Sequence, residues 1–375
     1  MPSSEESAAW VTLTRAPALD IRSLAKALDA LRKPQHILEA PDAAREHAGL
    51  PAAAREFLSS AQAPINDTER AWLENPRHHV VPFTDPRFPP LLRGAKQGPI
   101  ALYVAGSVEV LNDPQLAVVG SRNPTPQGKE TAALLAEQLA DRGLVITSGL
   151  AAGIDSAAHR GALRAQGRTI AVLGSGLAVI YPTINRPLSV EIARHGALVS
   201  AFPLEAPPRR EHFPQRNGII AALCLGTLVV EAARASGSLI TARLARGLGR
   251  KLFAVPGSIL SPMSRGCHQL IRQGAKLTET AHDILSEIDF SAFFAAQARA
   301  ASGIPGPGCH EVTMDKDLKI LLDALGFDPV DLDGLVVRTG FKPAAVSSMM
   351  LILELEGHVQ AAPGGRYSRV VRSRR

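Results

Sequence analysis

The stretch Val118-Val119-Gly120-Ser121-Arg122-Asn123 closes an apolar run that begins at Leu116 and leads into a segment carrying Ala132, Leu134, Leu135, Leu139 and Ala140 at helical spacing. That order predicts a strand, a tight turn and a helix start, with an arginine planted at the turn. The first turn of a helix leaves N–H groups unpaired and carries partial positive charge, so Gly120 for close approach and the Arg122 fork together predict a phosphate or other anion site. The chain then repeats the arrangement. Apolar, β-branched runs at residues 116–119, 144–147, 169–173, 197–200, 227–230 and 251–255 alternate with helix-like segments. Such alternation implies right-handed βαβ crossovers and a parallel sheet covered on both faces: an α/β, Rossmann-like, doubly wound domain. Ligands of such sheets bind beyond the carboxyl ends of the strands, where helix N-termini converge.

Working outward, short helical periods before residue 75 are broken by Pro17, Pro34, Pro41 and Pro51 and predict a small all-helical, SAM-like module over residues 1–75. A connector rich in Pro and His, residues 76–99, leads to a short strand at Tyr103 and Val104, and the extended Rossmann-like domain is placed at 76–290. Residues 291–312 have the Ala, Ser, Gly and Pro composition of a flexible linker. Beyond it, residues 313–375 read as helices at 315–325, 331–339 and 342–355 with a turn at Gly340, then a hairpin around Gly364-Gly365. That is the winged-helix order. Its third helix is poor in Arg, Asn and Gln, so it suits a protein contact as readily as base reading. The tail Arg366, Arg369, Arg372, Arg374, Arg375 is either a nucleic-acid arm or a solvated end.

Composition narrows the function classes. The chain has 375 residues, 46% of them hydrophobic, enough for a sizeable core. Its longest nearly apolar run, residues 219–230, falls short of the roughly 20 residues a bilayer span needs, so no membrane contact is expected. The N-terminus lacks a basic start and an apolar h-region, and Cys224, Cys267 and Cys309 are too scattered for a disulfide framework or a zinc site. A cytoplasmic protein without metal is the expectation. The formal charge of +6 suits either a polyanionic partner or a solubilising surface, and an aromatic content of 4% argues against a broad base-stacking platform.

The other strand ends add candidate chemistry. Ser148-Gly149-Leu150-Ala151-Ala152-Gly153 lets backbone donors approach a ligand, and Asp155 and His159, four apart, suit a salt-linked helix start or a general acid/base pair. Gly174-Ser175-Gly176 is a loop at the next strand end, but Val179 breaks a full dinucleotide fingerprint. Tyr181-Pro182 is either a stacking surface or a packed turn. Arg216-Asn217 stands at the edge of an apolar helix, where desolvation demands a partner: a bound phosphate or an internal carboxylate such as Glu231. Ser236-Gly237-Ser238 opens another helix with hydroxyls that cap it or donate to phosphate. Cys267 beside His268 reads as structural rather than as a catalytic dyad.

Taken in order, Gly-Ser-Arg, Ser-Gly-x-Ala-x-Gly-Ile-Asp-x-x-Ala-His, Gly-x-Gly with Tyr-Pro-x-x-Asn, Phe-Pro-x-Arg-Asn, Val-Val-Glu-Ala with Ser-Gly-Ser-Leu-x-Thr-Ala, and Val-Pro-Gly resemble the DNA-processing protein A (DprA/Smf) family over residues 82–288. The resemblance implies a single-stranded DNA binding protein that protects incoming DNA and helps load the RecA recombinase in natural transformation. It implies no catalytic residue and no cofactor, and a homodimer through the Rossmann domain. Carried over, Arg122 corresponds to the phosphate-contacting arginine, with Ser148, Gly149, Arg216 and Asn217 lining the same basic pocket. The expected DNA-binding set is completed by Gly120, Ser121, Gly174, Gly176, Ser236, Gly237 and Ser238. The chain departs from the family at Gly218, where an arginine is usual, at Ala201 and at His268. One pocket cation fewer weakens phosphate affinity. The rival reading, a nucleoside-monophosphate hydrolase of the lysine-decarboxylase-like fold, requires Pro-Gly-Gly-x-Gly-Thr, whereas Pro256-Gly257 is followed here by Ser258 and Ile259.

Overall fold

Nine strands form one sheet in the order β1-β2-β6-β5-β4-β3-β7-β8-β9. The computed structural model describes residues 4–60, 64–93, 98–234, 236–288 and 290, and in the C-terminal region 321, 324–325, 330–341, 343, 346, 350, 353, 359–362 and 366–369. The chain divides into two compact units, Met1–Ile304 and Pro305–Arg375. The linker expected at 291–312 and the end of the basic tail, 370–375, lie outside the described residues.

The first unit opens with helices α1 (Ser4–Arg15), α2 (Ile21–Leu31), α3 (Pro34–Glu39), α4 (Asp42–His47), α5 (Ala52–Leu58) and α6 (Asp67–Leu73). Their prolines start helices rather than interrupt them: Pro34 is the first residue of α3, and Pro41 and Pro51 immediately precede α4 and α5. A ring that fixes φ and lacks N–H is at home there. Asp20 and Asn66 close capping boxes on α2 and α6.

The alternating part follows: β1 (His78–Pro82), α7 (Pro90–Arg93), β2 (Ala101–Gly106), β3 (Gln115–Val119), α8 (Pro126–Asp141), β4 (Val145–Ser148), α9 (Ile154–Arg164), β5 (Thr169–Val172), α10 (Arg186–His195), β6 (Ala197–Ser200), α11 (His212–Leu223), β7 (Gly226–Val229), α12 (Ser238–Gly247), β8 (Lys251–Ala254), α13 (Arg265–Arg272), β9 (Lys276–Leu277) and α14 (Ala281–Leu285). Strands β3 to β9 pair in parallel, while β2 joins β6, and β1 joins β2, antiparallel. The six expected strands of the alternating region and the short strand expected at Tyr103 and Val104 all form. Two more join the sheet unforeseen, the short β9 and, within the connector, β1, where His78 and His79 lead into Val80 and Val81, which are buried.

Both faces of the sheet are covered, and the side chains alternate accordingly. Leu116 and Val118 of β3 join the core beneath α8 and α9, whereas Ala117 and Val119 join the core beneath α11, α12 and α13. A strand buried on both sides has no polar face to show, hence the continuous apolar runs. The antiparallel end of the sheet carries the helical segment. Trp10, Leu13, Leu24 and Ile37 share one core with Val80, Tyr103, Ala171 and Leu198, and Tyr103 reaches Thr14 by a hydroxyl-to-hydroxyl bond of 2.6 Å.

Connections from β3 through β6 progress in one direction, and α11 then returns the chain to the opposite side of β3 as β7. The reversal between β3 and β7 opens a crevice at the carboxyl ends of the strands, the usual ligand position in such sheets.

In the second unit, β10 (Val330–Asp331), α15 (Leu332–Thr339), β11 (Val359–Ala362) and β12 (Arg366–Arg369) enclose a small core with Leu321, Leu325, Val346, Met350 and Leu353. Asp331 caps α15, accepting from Gly334 N at 2.7 Å, and Gly340 ends it in the left-handed region at φ 71. The β10-β12-β11 sheet is antiparallel, with Ala362 opposite Arg366 across the expected hairpin. Most of the third helix lies outside the described residues.

Candidate nucleic-acid interface

Four of the twelve expected site residues converge on one pocket. Arg122, Gly149, Gly174 and Arg216 line it together with Ala151, Ala152, Ser175, Tyr181, Pro182 and Phe213, around a volume of about 110 Å3. The pocket sits at the carboxyl ends of β3, β4 and β5, at the mouth of α11.

Phe213 organises the cations. The Arg122 guanidinium stands 5.3 Å from its ring centroid and that of Arg216 stands 5.8 Å away. An aromatic face attracts a cation electrostatically, so the ring holds two positive groups near one another that would otherwise repel. Tyr181, half exposed, lies 6.1 Å from Phe213 between ring centroids. Of the two readings of Tyr181-Pro182, the structure gives a turn whose ring borders the pocket.

Arg122 and Arg216 differ in kind. Arg122 is exposed. Arg216 is 4% exposed, and its Nη1 donates to the carbonyl oxygens of Gly149 and, at 2.9 Å, Val172, while Nε donates to Asn217 Oδ1 at 3.1 Å. Burial pushes the Arg216 pKa down, and nearby Asp155 holds it up. Of the partners expected from sequence, Glu231 is not the one found: backbone carbonyls and Asn217 receive the guanidinium. No described residue accepts from its Nη2. Those donors remain for a ligand.

Asp155 shapes the β4–α9 loop. Its Oδ2 accepts from Gly149 N at 3.1 Å and from Ala151 N at 3.4 Å. Burial raises its pKa, opposed by Arg216 and the two N–H groups. A Cβ on Gly149 would overlap the Arg216 guanidinium, so glycine is required for this approach. His159 shares no hydrogen bond with Asp155 or Arg216. The Thr169 hydroxyl gives its proton to Ile146 O at 2.6 Å, so His159 Nδ1–H donates to Thr169 Oγ1 at 2.7 Å and leaves Nε2 bare. Burial first, then Arg216 and Arg160, push the His159 pKa down to about 3. Asp155 and His159 are therefore neither a salt link nor an acid/base pair.

The anion site foreseen at the start of α8 is already filled. Thr125 caps this helix, accepting from Gly128 N at 3.0 Å, and the Glu231 carboxylate accepts from Thr125 N at 2.9 Å and from Thr125 Oγ1 at 2.6 Å. A carboxylate from the β7 end thus takes the place assigned to phosphate, and Arg122 stands ahead of the helix rather than on it. Gly120 makes room for Ile154 and the Glu231 carbonyl, and Gly176 for the carbonyls of Pro203 and Leu204, not for a ligand.

The remaining expected residues lie around or beneath the pocket. Ser148 is fully buried and donates to Val118 O at 2.6 Å. The Ser121 hydroxyl accepts from Asn123 N at 3.1 Å and its own N–H donates to Glu231 O at 2.7 Å. Asn217 Nδ2 donates to Gly237 O at 3.4 Å, tying α11 to the turn in which Ser236 and Ser238 share a hydroxyl bond of 2.7 Å. Cys267 is buried with its thiol pushed up to about 12, which removes the thiolate a dyad needs, and His268 Nε2 faces Gly257 O instead.

A larger cleft, about 380 Å3, lies between α1, α6 and residues 203–212. There Arg15 pairs with Glu69 at 3.2 Å, and Glu205, accepting from the neutral Asn66 amide at 2.8 Å, keeps its negative charge, so phosphate is not favoured. Among the described residues no cluster of His, Cys, Asp and Glu has the makings of a metal site, and no helix is long and apolar enough to cross a membrane.

The comparisons with known proteins point the same way as the pocket. The family model described as DNA recombination-mediator protein A matches residues 79–289, and that of the DprA winged helix domain matches residues 307–365. The chain is similar to protein Smf of Escherichia coli (strain K12), 42% identical over 313 residues that cover 83% of each chain. Among solved structures it is similar to DNA processing protein A from Streptococcus pneumoniae, with a TM-score of 0.64 and 36% identity over 74% of this chain and 96% of that one. It is also similar to DNA processing protein A from Helicobacter pylori, whose structure is described in terms of its single-stranded DNA binding mode, with a TM-score of 0.50 and 32% identity over 54% of this chain and 94% of that one.

Proposed function

Because the chain belongs to the DNA recombination-mediator protein A (DprA/Smf) family, we propose that it binds single-stranded DNA through the Arg122–Phe213–Arg216 pocket, protects the strand and helps load the RecA recombinase in natural transformation. The observation that carries this reading is the meeting of two guanidiniums on one aromatic ring at the carboxyl edge of the sheet. Phosphate calls for the cations, and an unstacked base calls for an aromatic face. The protein acts in the cytoplasm as a homodimer joined through the Rossmann domain.

It binds without catalysis. The pocket lining contains no Asp, Glu or His, the two nearby titratable groups are committed to the fold, and the loop at Pro256-Gly257 lacks the phosphate-binding sequence of the nucleotide hydrolases. In this reading Arg122 and the Nη2 end of Arg216 contact the backbone, Gly149 and Gly174 admit it, and Phe213 with Tyr181 supports a base. Ser121, Asn217, Ser236, Gly237 and Ser238 border the path, while Gly120, Ser148 and Gly176 support its floor.

The test is oligothymidylate binding across a salt series for the wild type and Arg122→Ala. Each single-strand phosphate that the protein ceases to neutralise lowers the slope of log K against log salt by about 0.7, so the variant binds more weakly and less salt-dependently. Salt-insensitive binding by the wild type, or an Arg122→Ala variant that matches it, overturns the proposal.

A further inference from the structure

Three turns at the carboxyl edge are laced together by their backbones. Ser121 N donates to Glu231 O at 2.7 Å, Ala232 N donates to Met263 O at 2.7 Å, and Gly266 N donates to Ala232 O at 2.8 Å. The turns following β3, β7 and β8 therefore form one continuous floor that carries exposed arginines: Arg122 and Arg234 in the first two turns, and Arg265 at the helix start after the third. Arg234 and Arg265 make no hydrogen bond or ion pair with any described residue.

The charge of these turns is predominantly positive. The sequence from residue 232 to residue 278 contains Lys and Arg but no Asp or Glu. The acid immediately before it, Glu231, has both carboxylate oxygens engaged by Thr125. Three exposed guanidiniums on adjoining turns, with Glu231 the one acid in the sequence of those turns, leave an excess of positive charge that suits a polyanion. The larger cleft near α1 lacks this property because Glu69 and Glu205 line it beside its arginines.

We propose that Arg234 and Arg265 extend the single-strand site beyond the pocket, taking two further backbone phosphates as the strand runs along the carboxyl edge from β5 toward β8. The path crosses four inter-strand steps of about 4.8 Å, or about 19 Å, which a single strand several nucleotides long covers. Ser236 and Ser238 lie along it, beside Arg234, and Ser264 immediately precedes Arg265. Neither arginine reads sequence, because a phosphate contact positions a strand without identifying its bases. The inference rests on the reading of the Arg122–Arg216 pocket as a single-strand site.

The experiment uses the full chain and an oligothymidylate of about 20 nucleotides, longer than the path, in a salt series. Three variants are compared with the wild type: Arg122→Ala, the double variant Arg234→Ala with Arg265→Ala, and the double variant Arg234→Lys with Arg265→Lys. The alanine pair is expected to flatten the slope of log K against log salt by about 1.4, two phosphates at about 0.7 each, and the lysine pair to restore it, since a phosphate accepts either point charge. An alanine pair with the wild-type slope overturns the extension while leaving the pocket intact, provided Arg122→Ala still weakens binding. A lysine pair that fails to restore the slope also overturns it, because the effect then reflects shape rather than charge. A wild type that does not bind the oligonucleotide overturns both readings together.

Discussion

The Arg216 guanidinium donates to the carbonyl of Val172, the last residue of β5, at 2.9 Å. One cation therefore fastens the start of α11 to the sheet and at the same time gives the pocket its charge. Arg216→Ala leaves the Gly149 and Val172 carbonyls without this donor and Asp155 without its neighbouring charge. The expected loss of unfolding free energy is about 3 kcal/mol, since each buried polar group left unsatisfied costs about 1–3 kcal/mol. Arg216→Lys recovers little, because an ammonium does not reproduce the planar fork. Urea unfolding measures this, with Arg122→Ala as the contrast: exposed and unpaired with any acid among the described residues, Arg122 is expected to change stability by no more than about 0.5 kcal/mol. Equal effects at the two positions would contradict the division into a built-in and a free cation.

Gly149 has no room for even one carbon. Gly149→Ala forces the added methyl group against the Arg216 guanidinium and the Asp155 carboxylate, both of which are buried and held by other hydrogen bonds. Oligonucleotide affinity is expected to fall at least tenfold, about 1.4 kcal/mol, with thermal stability reduced as well. Wild-type affinity in this variant would mean that Arg216 need not occupy its present position for binding.

His159 sets a pH limit on stability. Its folded-state pKa, about 3, lies below the ordinary value of 6.5, so between those values the unfolded chain takes up a proton that the folded chain refuses. Stability from this residue is complete above about pH 6.5 and is lost as pH falls toward 3. At pH 5 the loss is about 2 kcal/mol. Denaturant midpoints at pH 7 and pH 5 for the wild type and His159→Asn check it: the variant is expected to be less stable at pH 7 but to depend less on pH. A variant with the same pH dependence as the wild type would place the responsible group elsewhere.

The fold was largely legible because a strand buried on both faces announces itself as an unbroken apolar run, as at Leu116 to Val119. Strand β1 escaped because only Val80 and Val81 carry that signal, between two histidines and a proline. In the site, Arg122 and Arg216 were found from motif order, and Phe213 stood in the same Phe-Pro-x-Arg-Asn motif without being singled out as the ring between them. A lone aromatic flanked by arginines from two motifs was the available signal. What sequence did not reveal was the occupant of the α8 start. Thr125 and Glu231 are 106 positions apart, and nothing local to either foretells the bond. Likewise the partners of Arg216 are backbone oxygens, which have no residue type to read.

Tyr103 and Thr14 touch across 89 positions of chain, and Trp10, Leu13 and Leu24 share a core with Leu198. The helices ahead of β1 thus complete one wall of the sheet's core rather than standing apart from it. A relative that has shed them in evolution must carry small or polar substitutes where Tyr103 and Leu198 stand, or recruit another covering for that wall.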